Sequence, residues 1–186
     1  MSSIEVNGGN VVYEILGDSG DLMVLTPGGR FSKEIEGLRP LAEYRSIRLE
    51  AALDPSVRPV VADAERLDEV LAILLANAFK FTPDGGRVQV RLEAADAGAR
   101  IQVIDSGKGF GPDRLPHTFE CLGPQGSPTT RRNDGFGIGL SIAKHVVEMH
   151  GGSIRAESRG EDKGTTFTVE LPQLPQEPVP QGGTSS

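Results

Sequence analysis

A single cysteine, Cys121, in a chain of 186 residues rules out an intrachain disulfide framework. A small, semi-buried side chain is its expected role. Tryptophan is absent and aromatics reach only 5%, so the 37% of apolar residues must build a largely aliphatic core. No apolar run approaches the roughly 18 residues of a membrane span. The opening Met1-Ser2-Ser3-Ile4-Glu5 lacks the basic and apolar regions of a signal peptide. A soluble, cytoplasmic protein is therefore expected. There is no long basic patch, and the net charge is -7, which argues against nucleic acid as a partner. A nucleotide is not excluded, since it needs only local N–H donors and one or two cations. Three catalytic signatures are also missing: the Gly-x-Ser-x-Gly elbow, the Gly-Lys-Ser/Thr P-loop, and the motifs of eukaryotic-type protein kinases.

What the chain does have is glycine, 24 in all, six of them at every second position of two loops. In Val103-Ile104-Asp105-Ser106-Gly107-Lys108-Gly109-Phe110-Gly111 a buried strand is expected to end at a carboxylate, followed by glycines at every second position. Asp105 can accept a hydrogen bond from an amino group such as that of adenine, and the glycines allow close approach of backbone to a ligand. The second loop, Gly135-Phe136-Gly137-Ile138-Gly139-Leu140, opens a helix. It offers phosphate the N–H donors of a helix start. The spacing predicts a helix over residues 64–79, capped by Asp63 and with Leu67, Val70, Leu71, Leu74, Leu75 and Ala78 as its core stripe. Ile73, Asn77 and Lys80 share the neighbouring stripe. The Asn77 amide oxygen suits a hard metal ion, and Lys80 can reach phosphate as a point charge.

The remaining pattern is mixed. Residues 4–18 read as a hairpin around Asn7-Gly8-Gly9, residues 22–26 as a strand, and residues 32–44 as a short helix. Strands are expected at 46–53, 57–61, 87–94, 99–105, 153–157 and 165–171, with a helix over 139–150 that leaves His150 as a cation at its end. The stretch 107–135 has the irregularity of a lid, with Leu115, Phe119 and Leu122 as anchors. Residues 172–186 read as a disordered Pro/Gln/Gly/Ser tail.

Two resemblances add to this. Residues 1–45 resemble the opening of α/β-hydrolases, with Pro27-Gly28-Gly29-Arg30 as the turn, but the nucleophile elbow that such an enzyme needs is missing. Residues 46–171 resemble the catalytic, ATP-binding domain of sensor histidine kinases, in the superfamily that includes the ATPase domains of DNA gyrase, a heat-shock chaperone and MutL. The matching motifs are Leu74-Leu75-Ala76-Asn77-Ala78-Phe79-Lys80-Phe81-Thr82-Pro83, the two glycine loops, Phe119-Glu120, His150-Gly151-Gly152 and Gly164-Thr165-Thr166-Phe167. The resemblance implies an α+β fold, a two-layer α/β sandwich with a mixed, mostly antiparallel sheet and helices on one face. It implies ATP and Mg²⁺, with Asn77 as metal ligand and Lys80 and Phe81 beside phosphate and ribose. Asp105 would hold the adenine amino group, with Thr165 close by through water. Gly107, Gly109, Gly135, Gly137, Gly139 and Leu140 would shape the pocket and its lid. It also implies two partners in trans: a dimerisation domain bearing the phosphoacceptor histidine, and a response regulator. The chain departs from the pattern at Ile73, where many members of the family carry asparagine, and in having no dimerisation helices. The alternatives are a non-catalytic ATP-binding regulatory module or a hydrolase remnant.

Overall fold

Alternation at period two dictates the central sheet. In Arg87-Val88-Gln89-Val90-Arg91-Leu92 every second side chain is fully buried, and the residues between them are not. The computed structural model describes residues 2–6, 9–13, 30–57, 60, 62–96, 98–120 and 138–173. Its elements run β1 (Ser2–Val6), β2 (Gly9–Tyr13), α1 (Arg30–Gly37), α2 (Arg39–Tyr44), β3 (Arg48–Leu53), α3 (Ala64–Phe81), β4 (Arg87–Ala95), β5 (Gly98–Asp105), α4 (Gly139–Met149), β6 (Ser153–Glu157) and β7 (Thr165–Pro172). A 3-10 turn lies at Leu115–His117.

Five strands form one sheet in the order β3-β4-β5-β7-β6. Only the β3–β4 pair is parallel, as a crossover through α3 requires; the other three pairs are antiparallel. The expected mixed, mostly antiparallel α+β sandwich is therefore what the chain forms. Asp63 caps α3 by accepting the Arg66 N–H at 3.1 Å. All six residues of the expected stripe on α3 are buried against the sheet, with Leu140, Ala143, Val146 and Val147 of α4 beside them. Each such leucine or valine contributes about 1.5–3 kcal/mol on leaving water. Ile142 and Met149, apolar but off that face, are exposed.

Some expectations shift. The hairpin at the start forms as β1 and β2, paired antiparallel from Ser2↔Tyr13 to Val6↔Gly9. The expected strand at 22–26, most of the lid and the tail from 174 lie outside the described residues. The helix expected at 32–44 is two helices, because Gly37 ends the first and Pro40 sits in the first turn of the second. Val57 and Val60 are buried but lie in no strand. Ile35 and Ala42, at 4% and 3% exposure, belong to the same core as α3 and the sheet. A boundary at residue 45 would thus cut through a packed unit, since an amphipathic helix with so little apolar surface finds its partner only in three dimensions.

Candidate functional site

The pleat of β5 decides where its last residue goes. Ala99, Ile101 and Val103 face the helices, so Asp105 faces them too, and a carboxylate ends up 7% exposed at the strand's end. Its Oδ1 accepts two backbone N–H groups, from Gly107 at 2.8 Å and from Thr165, its partner in the ladder, at 3.2 Å. Its Oδ2 meets no donor among the described residues. Burial pushes the Asp105 carboxyl up to about 6, against the opposing pull of the Gly107 and Thr165 amides. The Thr165 hydroxyl likewise meets no partner among the described residues, although the residue is only 6% exposed.

The glycine loop that follows is stitched in place on both sides. Lys108 N–H donates to the Phe81 carbonyl at 3.2 Å, joining the loop to the last residue of α3. Gly164 N–H donates to the Gly107 carbonyl at 2.9 Å, and Phe110 N–H to Ser158 Oγ at 3.0 Å. A Cβ on Gly107 would lie 2.5 Å from the Phe81 oxygen and 2.8 Å from Asp105 Oδ1. Gly109, at φ +62, would place one 2.3 Å from the Gly160 oxygen. What crowds these two glycines is the protein's own backbone, so their first task is to let the loop lie flat on α3 and on the β6–β7 connection. Phe110 and Phe119 then pack edge-on against Phe167 of β7, at 6.5 and 6.3 Å between ring centres.

On α3, Asn77 Nδ2 donates to the Ile73 carbonyl at 2.9 Å. A carbonyl can only accept, so the amide nitrogen must face it and Oδ1 is left for another ligand. Lys80 holds its ammonium 5.2 Å from the centre of the Phe81 ring. Gly139 starts α4 against Ile73, whose Cγ2 is 3.3 Å from where a Cβ would stand. Ile138 at the N-cap makes no side-chain bond, and the first-turn N–H groups of α4 have no side-chain acceptor among the described residues. Leu140 is 1% exposed, and its side chain is core, so it can serve a ligand only through its main chain. Gly135 and Gly137 lie outside the described residues.

Three residues have positioning roles that the sequence reading did not assign. Gly164, at φ +74, would drive a Cβ to 2.0 Å from the Asp105 carbonyl, so no other residue fits beside the carboxylate. Its place just before Thr165 was the only signal. Arg45 donates to the Phe79 and Thr82 carbonyls and to Asp84, capping the end of α3 from 34 to 39 residues away. Nothing local in the sequence marks it. His150 is not the helix-end cation expected. Its Nε2 accepts the Asp63 N–H at 3.0 Å, while Nδ1 lies 2.8 Å from the Val146 carbonyl, a pair of bonds that only the ring protonated on Nδ1 alone satisfies. It ties the end of α4 to the cap of α3.

The donor set fits a nucleotide. A buried acceptor with a spare oxygen suits an exocyclic amino group, an amide oxygen suits a hard cation, and an uncapped helix start suits phosphate. Among the described residues no cluster of three or more His, Cys, Asp or Glu side chains could hold a metal, so a cation here would depend on Asn77 and on phosphate oxygens.

The comparisons with known proteins agree. The profile of a family described as histidine kinase-, DNA gyrase B-, and HSP90-like ATPase matches residues 62–175. The circadian input-output histidine kinase CikA of Synechocystis is 41% identical over 121 residues, covering 65% of this chain and 16% of its own length. Sensor histidine kinase ZraS of Escherichia coli is 36% identical over 141 residues, covering 76% of this chain and 29% of its own. The chain thus spans less than a third of these relatives. Among solved structures, the mycobacterial sensor histidine kinase MprB superposes with a TM-score of 0.62 at 31% identity, over 78% of this chain and 96% of that one. ShkA in complex with AMPPNP superposes with a TM-score of 0.69 at 28% identity, over 83% and 32%. No helix among the described residues is long and apolar enough to cross a membrane. Fold, motif order and relatives converge: the chain belongs to the histidine kinase-, DNA gyrase B- and HSP90-like ATPase family, as an ATP-binding catalytic domain of the sensor histidine kinase type.

Proposed function

We propose that this domain binds Mg-ATP and presents it for phosphoryl transfer to a histidine on a separate dimerisation domain, from which a response regulator would be served. The observation that carries the reading is Asp105: a buried carboxylate with one oxygen fixed by two amides and the other without a donor among the described residues. In this reading Asp105 Oδ2 accepts from the adenine amino group, and the Thr165 hydroxyl anchors a water beside it. Asn77 Oδ1 holds Mg²⁺, which when bound would neutralise phosphate charge. Lys80 and Phe81 flank phosphate and ribose. Gly107 and Gly109 keep the pocket floor thin, and the main-chain N–H groups of Gly139 and Leu140, with Gly135 and Gly137 before them, meet phosphate. The ATP-binding unit begins at or before α1, because Ile35 and Ala42 are part of its core.

A second reading is a non-catalytic ATP-binding module. Ile73 favours it, since an apolar side chain lies against the first residue of α4 where a polar one could reach phosphate. Calorimetric titration with ATP and GTP, with and without Mg²⁺, tests the first part. Tight, adenine-selective, Mg²⁺-dependent binding supports it, and equal binding of GTP overturns the role of Asp105. Radiolabel transfer from ATP to a supplied dimerisation domain separates kinase from module.

A further inference from the structure

A second cleft, of about 610 Å³, opens at the edge of the sheet where β4 begins and β6 passes into β7. Arg87, Arg159 and Lys163 all line it, and none of the three has a carboxylate within ion-pairing distance among the described residues. In a chain of net charge -7, three unpaired cations around one cavity are a local reversal of sign. Glu157 and Asp105 are the acidic residues on the wall: the Glu157 carboxylate lies 3.6 Å from Arg155, outside the cleft, and the Asp105 side chain is turned to the helix side of β5, where its Oδ1 accepts the Gly107 and Thr165 amides. Glu161 and Asp162, on the same connection, line a different cavity beside Gly109 and Phe110. The wall also carries the hydroxyls of Ser106 and Thr166. Ser106 Oγ accepts the Arg87 N–H at 2.8 Å, so its own proton is left to donate. Cations converging with hydroxyl donors in a cavity of this size fit a small ligand bearing several phosphate charges.

The β6–β7 connection that supplies Arg159 and Lys163 is also the support of the glycine loop. Ser158 Oγ accepts from Phe110, Asp162 N–H donates to the Lys108 carbonyl at 2.6 Å, and Gly164 N–H to the Gly107 carbonyl. We propose that this cleft is a binding site for a small polyphosphate anion, and that filling it braces the connection and, through it, the nucleotide loop. The coupling half of the proposal rests on the ATP-binding reading; the binding half does not.

Tripolyphosphate is the probe, titrated calorimetrically into the full chain with the nucleotide site first saturated by ADP. Binding that is lost in R159Q/K163Q, while that variant keeps its ADP affinity within about twofold, is the expected result. Equal binding by wild type and variant, or none by wild type, overturns the site. If wild type binds, ADP affinity measured with and without saturating tripolyphosphate should differ by about fivefold, the low end of ordinary coupling. No change in ADP affinity overturns the coupling. Failure of ADP itself to bind shows instead that the nucleotide reading is wrong, and tripolyphosphate binding is then compared directly between wild type and variant. A thermal melt of R159Q/K163Q that matches wild type shows that a lost signal is not lost folding.

Discussion

Thr165 N–H donates to Asp105 Oδ1 across the β5–β7 ladder at 3.2 Å, and that bond leaves Asp105 Oδ2 as the spare acceptor. Asp105→Asn keeps an oxygen for the Thr165 and Gly107 amides but replaces the spare acceptor by a donor. ATP affinity should fall by about 1.5–3 kcal/mol, the range for a hydrogen bond to a charged group. Calorimetry checks this, and unchanged affinity removes Asp105 from the site. The same variant should be more stable than wild type at pH 7.5 in urea unfolding, because it no longer buries a charge.

The pH dependence follows with its sign. Burial raises the folded Asp105 carboxyl from 3.8 to about 6, so between those values the folded state holds a proton that the unfolded chain has lost. Stability from this group is fully present below pH 3.8 and is lost as pH rises through about 6, an effect of order 3 kcal/mol. Nucleotide affinity should run the other way, since only the carboxylate is a full acceptor. It should rise through pH 6 and level off above 7. Measuring wild type against Asp105→Asn cancels the titration of the nucleotide's own phosphate, and parallel curves for the two proteins would exclude Asp105 as the titrating group.

Asn77 turns its Nδ2 to the Ile73 carbonyl and so presents Oδ1. Asn77→Ala removes the only side-chain oxygen that α3 offers in this turn. Mg²⁺ should then no longer tighten ATP binding, while Mg²⁺-free affinity stays within about twofold of wild type, a change below 0.5 kcal/mol. Tightening that persists in the variant would assign the metal to another ligand.

The fold was legible in the sequence wherever one face of an element had to be buried. Val88, Val90 and Leu92, or Leu67, Val70, Leu71 and Leu74, announce their period directly. The same period put Asp105 on the core face, and the glycines after it marked the loop. Contacts across long separations were not legible. Arg45 reaches the end of α3 from 34 residues away, and His150 meets Asp63 across 87. Such partners have no local pattern, so a lone arginine reads as solvated and a histidine at a helix end as a cation. The short helices α1 and α2 were read apart from the domain for a related reason. Among their described side chains, only Ile35 and Ala42 are buried in a core that the rest of the chain defines.

Ile73 gives the sharpest test of catalysis. It is half-buried, with its Cγ2 against the first residue of α4, one turn before Asn77. Asparagine is smaller than isoleucine, so Ile73→Asn can be accommodated without displacing Gly139. The lost apolar contact should cost about 1 kcal/mol in urea unfolding, as partial truncations of half-buried aliphatics do. In return the amide offers a donor to the phosphate end of the site, and a hydrogen bond to a charged oxygen is worth about 1.5–3 kcal/mol. If that bond is stronger at the transition state than in the bound nucleotide, phosphoryl transfer to a supplied dimerisation domain should rise about tenfold or more, with ATP affinity changing less. A variant that gains ATP affinity and no transfer rate would show that position 73 governs binding alone, and that whatever limits transfer lies elsewhere in the site.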